Sequence, residues 1–275
     1  MSRETGMNKP LFKHECRSHL KSVGVWSLSL TVMLFIFFPF YPIFAEQAST
    51  VDLMLKSLPP EFLSAIGLSG TDFSSVLGYY GYIFIFIQLC LAIQAANYGV
   101  GLISIEENEA TADFLLSKPV SRTQIILTKF IAAFLCLLIT NFIVWVSSYA
   151  AVEVFRNGHS YETRTLLLLF LTIPLFQFFF LSIGLMLSLL TKRVRNVLPF
   201  SLGLAFGTYI LNAFGEVFSE IDLELITPFK HFDPNFILKN NTINTNLVTA
   251  NFIAAILMLF ISYWLFLRRD IPAIS

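Results

Sequence analysis

Six long runs of apolar residues dominate the hydropathy pattern of this chain, and shorter polar segments separate them. Each run reaches the ~20 residues that a helix needs to cross the hydrocarbon core of a bilayer. Lipid cannot satisfy an open sheet edge, so we expect every run to be a helix. The pattern predicts an all-α polytopic membrane protein. Its six transmembrane helices are expected at residues 23–45, 78–105, 130–152, 166–190, 197–215 and 247–267.

The composition agrees with this prediction, since 56% of the residues are hydrophobic. The first run follows a basic leader and has to be distinguished from a cleaved secretion signal. Its apolar stretch exceeds the ~7 to 15 residues of a signal core, and Ile43 interrupts the small-residue cleavage pattern before Glu46. We therefore expect a retained first span.

The distribution of basic residues predicts the orientation, because Lys and Arg are enriched in cytoplasmic segments. Most of them fall in the leader, in the segment between the second and third runs, in the turn after the fourth run and in the tail. The remaining loops are acidic. The prediction is that both termini are cytoplasmic, that residues 1–22 form an amphipathic interface helix, and that residues 23–275 form one six-helix domain. Its cytoplasmic hairpin is expected at 106–124, and its extracellular loops at 46–77, 153–165 and 216–246.

The leader carries a helical stripe of apolar residues, Phe12, Cys16, Leu20 and Val23, beside basic side chains. This pattern favours a helix at the cytoplasmic headgroups. A solvated basic arm is the alternative.

The six runs contain no Asp, Glu, Lys, Arg or His, whereas ion-coupled pumps keep ionisable groups at membrane depth. The chain also lacks a phosphate loop, a zinc-protease helix motif and a serine nucleophile turn. We therefore expect no catalytic, cofactor or metal site, and no nucleic-acid partner. The uncharged polar residues in the runs are candidates for interhelical packing or for a transport pathway: Gln88, Gln94, Asn97, Asn141, Gln177 and Asn212.

The segment between the second and third runs combines acids, an apolar trio and a helix restart. Pro119 should end a short helix near Lys118, since the residue before a proline avoids helical angles. Ser121 and Gln124 have the spacing of a capping box, which predicts that the next helix begins near Arg122. The charge and hydropathy of this segment are compatible with two positions, on the membrane surface or docked on a partner protein.

The run E-E-N-E-A-T-A-D-F-L-L-S-K-P-V-S-R-T-Q-I-I-L-T-K-F resembles the segment after the second span in ATP-binding-cassette type-2 permeases. The leader L-F-K-H-E-C-R-S-H-L-K-S-V-G-V-W and the later run T-P-F-K-H-F-D-P are similar to that family as well. The resemblance implies a type-2 ABC exporter transmembrane domain. It also implies that Pro228, Phe229, Phe232 and Pro234 belong to short re-entrant or interfacial helices before the last span. A plain extracellular cap is the alternative for these residues.

By this resemblance the segment is a coupling helix that sits in a groove of a separate ATPase subunit. The implied ATPase-coupling residues are Glu106, Glu107, Glu109, Asp113, Phe114, Leu115 and Leu116. The resemblance further implies a second permease chain, identical or related, and ATP and Mg in the partner ATPase. The cargo would be a peptide, an antibiotic or a lipid-like compound, and the location a bacterial plasma membrane.

Two other functions remain open. A non-transporting sensor or assembly module could recruit an ATPase through the same segment. An integral-membrane enzyme would need charged or metal-ligating residues near the membrane face, and the chain has few candidates there.

Overall fold

The computed structural model describes residues 8–59, 62–63, 66–68, 70–108, 121–191, 194–217 and 225–268. These residues form helices joined by turns, with no strand among them. A 3-10 turn at Phe38–Phe40 follows the first helix. The helices are α1 (Lys9–Phe37), α2 (Tyr41–Glu46), α3 (Ala48–Lys56), α4 (Val76–Asn108), α5 (Arg122–Phe155), α6 (Thr163–Leu190), α7 (Val197–Val217), α8 (Pro228–His231), α9 (Pro234–Asn240) and α10 (Thr245–Arg268).

Six stretches within the described residues are long and apolar enough to cross a membrane, which confirms the predicted number of spans. They are the α1 to α2 stretch and helices α4, α5, α6, α7 and α10. Several helices extend well beyond the apolar runs. Helix α5, for example, begins eight residues before the predicted span at residue 130.

Helix α4 lies at the centre of the bundle. In the apolar 18-residue stretch of α4, 72% of the residues are buried. The corresponding values are 11% for α7 and 22% for α10. Helix α4 packs chiefly on α6, while α1 packs on α5, and α7 and α10 pack on α4 and α6 respectively. A central helix needs apolar residues on all sides, which explains why α4 shows little amphipathic character.

Two glycines allow α4 and α6 to approach closely. A Cβ added to Gly99 would lie 2.3 Å from the carbonyl oxygen of Leu181, and one added to Gly184 would lie 2.9 Å from that of Ala96. Small residues at helix crossings let backbones come together in membranes, where packing contributes much of the attraction between helices.

Helix α1 runs without interruption through residues 22 and 23, so the leader and the first span form one helix of 29 residues. The side of α1 that faces the other helices includes Glu15 as well as Val23. Leu20 is 53% exposed, whereas Glu15 is only 7% exposed and Val23 4%. Glu15 is buried because it faces Lys129 on α5, with Oε1 and Nζ 2.9 Å apart.

Candidate functional site

The predicted coupling segment, residues 106–124, overlaps the end of α4 at Asn108 and the start of α5 at Arg122. Glu106 and Glu107 are on the last turn of α4. The other implied coupling residues lie outside the described residues, and their role stays a prediction: Glu109, Asp113, Phe114, Leu115 and Leu116.

The start of α5 carries the capping box that the sequence predicts. The backbone N–H of Gln124 donates to Ser121 Oγ at 3.2 Å, and the N–H of Ser121 donates to Gln124 Oε1 at 3.2 Å. Each bond satisfies an amide that has no partner inside the helix. The predicted helix start at Arg122 is confirmed, so the third span leaves the coupling segment as a well-defined helix.

The first turn of α5 contacts the end of α10. The Arg122 guanidinium donates to the carbonyl oxygens of Phe266 and Leu267 at 3.5 and 3.4 Å. The hydroxyls of Thr123 and Tyr263 lie 3.1 Å apart. The last carbonyls of a helix lack partners within the helix and attract cations, so Arg122 stabilises this end of α10. The base of the third span is thereby joined to the sixth.

Three of the intramembrane amides bridge neighbouring elements. Gln88 Nε2 donates to the carbonyl oxygen of Phe232 at 2.9 Å, Gln94 Nε2 to Thr140 Oγ1 at 3.0 Å, and Gln177 Nε2 to the carbonyl oxygen of Leu91 at 3.3 Å. All three side chains are buried. Such bonds between helices in a bilayer contribute on the order of 0.6 kcal/mol each.

Asn141 differs from these residues. It is 1% exposed, and neither its amide nitrogen nor its amide oxygen has a hydrogen-bond partner within the described part of the chain. Asn97 and Asn212 are only half-buried. Buried polar groups normally have a partner, so direct contacts within the bundle do not account for Asn141.

The segment before the last span enters the bundle from the same end as the start of α4. Phe229 and Phe232 are buried, and their rings lie 5.1 and 5.8 Å from the ring of Phe176 on α6. Gln88, which binds the backbone at Phe232, lies about 18 Å along α4 from its first residue at 1.5 Å per residue. The short helices α8 and α9 therefore belong to a segment that reaches more than a third of the way along α4. The segment packs against α4 and α6, and its re-entrant or interfacial position in the membrane stays a prediction.

A cavity of 780 Å³ opens between the first turn of α4, the start of α6 and helix α9. Its charged lining residues are Asp72, Glu162, Asp233 and Lys239. Two of the carboxylates cap turns, because Asp72 accepts from the N–H of Ser74 at 2.9 Å and Asp233 from that of Asn235 at 2.8 Å. Burial raises the pKa of Asp233, against the opposing effects of Lys230 and the backbone hydrogen bonds. These acids have structural roles in the turns that form the cavity wall.

The most buried charged contact in the described residues is not among the contacts predicted from the sequence. Lys129 Nζ lies 2.9 Å from Glu15 Oε1, with side chains 6% and 9% exposed. A signal was present, since Lys129 stands alone in the apolar run I-I-L-T-K-F-I-A-A-F and Glu15 falls between Phe12 and His19 on one helix face. An isolated charge in such a run usually has a partner.

Comparison with known families gives a match along nearly the whole chain. The model of the family described as ABC-2 family transporter protein matches residues 10–271. The chain belongs to the ABC-2 transporter family. It is accordingly a multi-pass membrane protein and the permease of an ABC transporter, a membrane component that associates with an ABC ATPase. A search of curated proteins found no match.

Proposed function

We propose that this permease exports a peptide, an antibiotic or a lipid-like compound with energy from ATP. In this proposal two permease chains and two ATPase subunits form the complex, and the ATPase subunits bind ATP and Mg²⁺. The complex would lie in a bacterial plasma membrane. The observation that carries the proposal is the family match over residues 10–271, which includes all six spans and the segment between α4 and α5.

The coupling segment at 106–124 would transmit the motion of the ATPase. Its apolar trio Phe114 to Leu116 would supply binding energy, and its acids would set orientation and partner choice. The capped start of α5 and its contacts to α10 support this role. A segment that ends in a rigid, anchored helix would move that helix when the ATPase displaces the segment. A segment that only lies on the membrane surface would not need to be followed by a capped and anchored helix start.

Helix α7 is the surface that we assign to the second permease chain. Phe200, Ile210 and Phe214 are 41%, 48% and 53% exposed, and they share a face with Gly203 and Gly207. A Cβ added at either glycine would meet nothing within 4 Å, so none of the described residues covers this G-x-x-x-G face. Small residues at this spacing let a second helix approach closely in a membrane.

The first experiment is affinity purification of the tagged chain in mild detergent, followed by identification of co-purifying proteins and an ATPase assay. The paired substitution Phe114→Ala and Leu115→Ala should release the ATPase, since it removes the apolar part of the proposed contact. Leu257→Ala with Phe260→Ala is the matched control, because these side chains on α10 are 56% and 68% exposed. The control should retain the ATPase.

Vanadate-sensitive ATP turnover by the co-purified complex would support the transport function. Retention of the ATPase by the Phe114 and Leu115 variant would contradict the docking assignment. A parent chain that purifies alone and without turnover in several detergents would favour the alternative, a non-transporting membrane module.

Gly203→Leu tests the α7 surface. The added side chain should block a second α7 and lower the fraction of cross-linked permease dimer in membranes. Gly24→Leu is the control, since Gly24 on α1 is also exposed and has nothing within 4 Å of its added Cβ. Equal dimer yields from the two variants would exclude Gly203 from the interface.

A further inference from the structure

The buried ion pair joins the leader part of α1 to α5. Lys129 Nζ and Glu15 Oε1 are 2.9 Å apart, and both side chains are nearly inaccessible to solvent. Moving two charges out of water is costly, and removal of either partner leaves an uncompensated buried charge. Separating α1 from α5 at this level would leave each charge without its partner. The pair therefore opposes relative movement of the two helices.

The pair lies near both ends of the coupling segment. Lys129 is about 10 Å along α5 from Arg122 at 1.5 Å per residue. One turn after Glu15, the ring of His19 lies over the ring of Tyr98 on α4, with centroids 4.3 Å apart. Tyr98 is about 15 Å along α4 from Asn108. The leader thus contacts both helices that carry the coupling segment.

A displacement of the leader would reach the first span, because α1 is continuous from Lys9 to Phe37. A second contact joins the same two helices, since the hydroxyls of Thr31 and Ser147 are 2.8 Å apart. Thr31 lies about 24 Å along α1 from Glu15 at 1.5 Å per residue. Helices α1 and α5 are therefore joined by two polar contacts, the ion pair and the hydroxyl pair, about 24 Å apart along α1.

We propose that Glu15 and Lys129 are positioning residues that make α1 and α5 move as one body when ATP displaces the coupling segment. The inference rests on the proposed function. The pair acts through the helices that it joins, close to the coupling segment and remote from the α8 and α9 end of the bundle. Without it, the amphipathic leader would slide at the headgroups while α5 moved alone.

Spin labels at Arg17→Cys and Leu127→Cys test this proposal, because both side chains are exposed and lie close to the pair in sequence. The full chain, with Cys16, Cys90 and Cys136 replaced by serine, is purified with its ATPase. The label separation is measured by pulsed dipolar spectroscopy before and after vanadate trapping. The parent should give one narrow distance, unchanged between the two states. Lys129→Met and the milder Glu15→Gln should lose the narrow peak after trapping.

The exchanged pair, Glu15→Lys with Lys129→Glu, should restore the narrow peak, a result that general destabilisation would not give. Ser147→Ala is the control, since it removes the distant hydroxyl contact and leaves the ion pair in place. Its peak should stay narrow.

A narrow peak in both single variants after trapping would overturn the inference, as would a broad peak in the exchanged pair. If the parent purifies without an ATPase, the proposed function fails and this inference fails with it. Variants that retain the ATPase and show an unchanged peak would overturn the inference alone.

Discussion

Alanine at Gly99 should destabilise the central contact of the bundle. Its Cβ would lie 2.3 Å from the carbonyl oxygen of Leu181 and 3.0 Å from the amide nitrogen of Leu185. Both atoms belong to the α6 backbone, so no side-chain rotation can relieve the clash. Ordinary contact begins at 3.4 Å, and α4 and α6 would have to separate by about 1.1 Å at this crossing.

The expected cost follows from comparison with a second glycine. Overpacking a well-packed site costs ~1–3 kcal/mol, whereas alanine in place of glycine within a helix contributes ~1 kcal/mol. Gly24→Ala makes the same helix gain on α1, with nothing within 4 Å of the new Cβ. The difference between the two variants therefore isolates the packing cost at Gly99, and we expect it to be about 1–3 kcal/mol.

Thermal unfolding of the detergent-purified chain, followed by tryptophan fluorescence, measures this difference. One kcal/mol corresponds to roughly 2–4 °C for chains of about this size, so Gly99→Ala should unfold about 2–12 °C below Gly24→Ala. Equal transition temperatures, or a higher one for Gly99→Ala, would refute the close approach of α4 to α6 at this position.

Three further predictions concern the two ends of the bundle. Ser121→Ala should cost ~0.5–2 kcal/mol and speed hydrogen exchange of the Gln124 amide, because it removes one half of the capping box; unchanged exchange would contradict the cap. Burial raises the pKa of Asp233, so the folded state takes up its proton at higher pH than the unfolded state. The parent should therefore gain stability relative to Asp233→Asn as pH falls through the pKa of the folded state, and a difference in unfolding temperature that does not change with pH would contradict the raised pKa. In a cysteine-free background, an impermeant thiol reagent added to intact cells should label a cysteine at Asn240 and not one at Asn108, and the reverse would invert the orientation.

The number of spans could be predicted from the sequence because bilayer thickness fixes the length of an apolar run. The restart of α5 could also be predicted, since the capping box of Ser121 and Gln124 is a local interaction across three residues. The ends of the helices could be predicted less well from the sequence. Helices α4 and α5 extend past the apolar runs with polar and charged residues, which carry no hydropathy signal.

The position of the segment that carries α8 and α9 could not be derived from the residue pattern alone. Phe232 is held by Gln88 across 144 residues of chain, and Phe229 packs on Phe176 and Phe180 of α6. A short segment with two prolines and several aromatics fits a surface loop as well as a buried one. Only the opposing helices, which provide a polar partner and an aromatic pocket, fix its position.

The ion pair shows how two separate sequence anomalies have one cause. A leader that bound only to headgroups would have no reason to bury Glu15 against another helix, yet Glu15 is 7% exposed. A third span free of partners would have no reason to bury Lys129, which is 5% exposed. The two residues are 114 positions apart, and each is unfavourable without the other. Opposite charges that are isolated in apolar stripes, and that the topology places on the same side of the membrane, thus predict a contact between their helices.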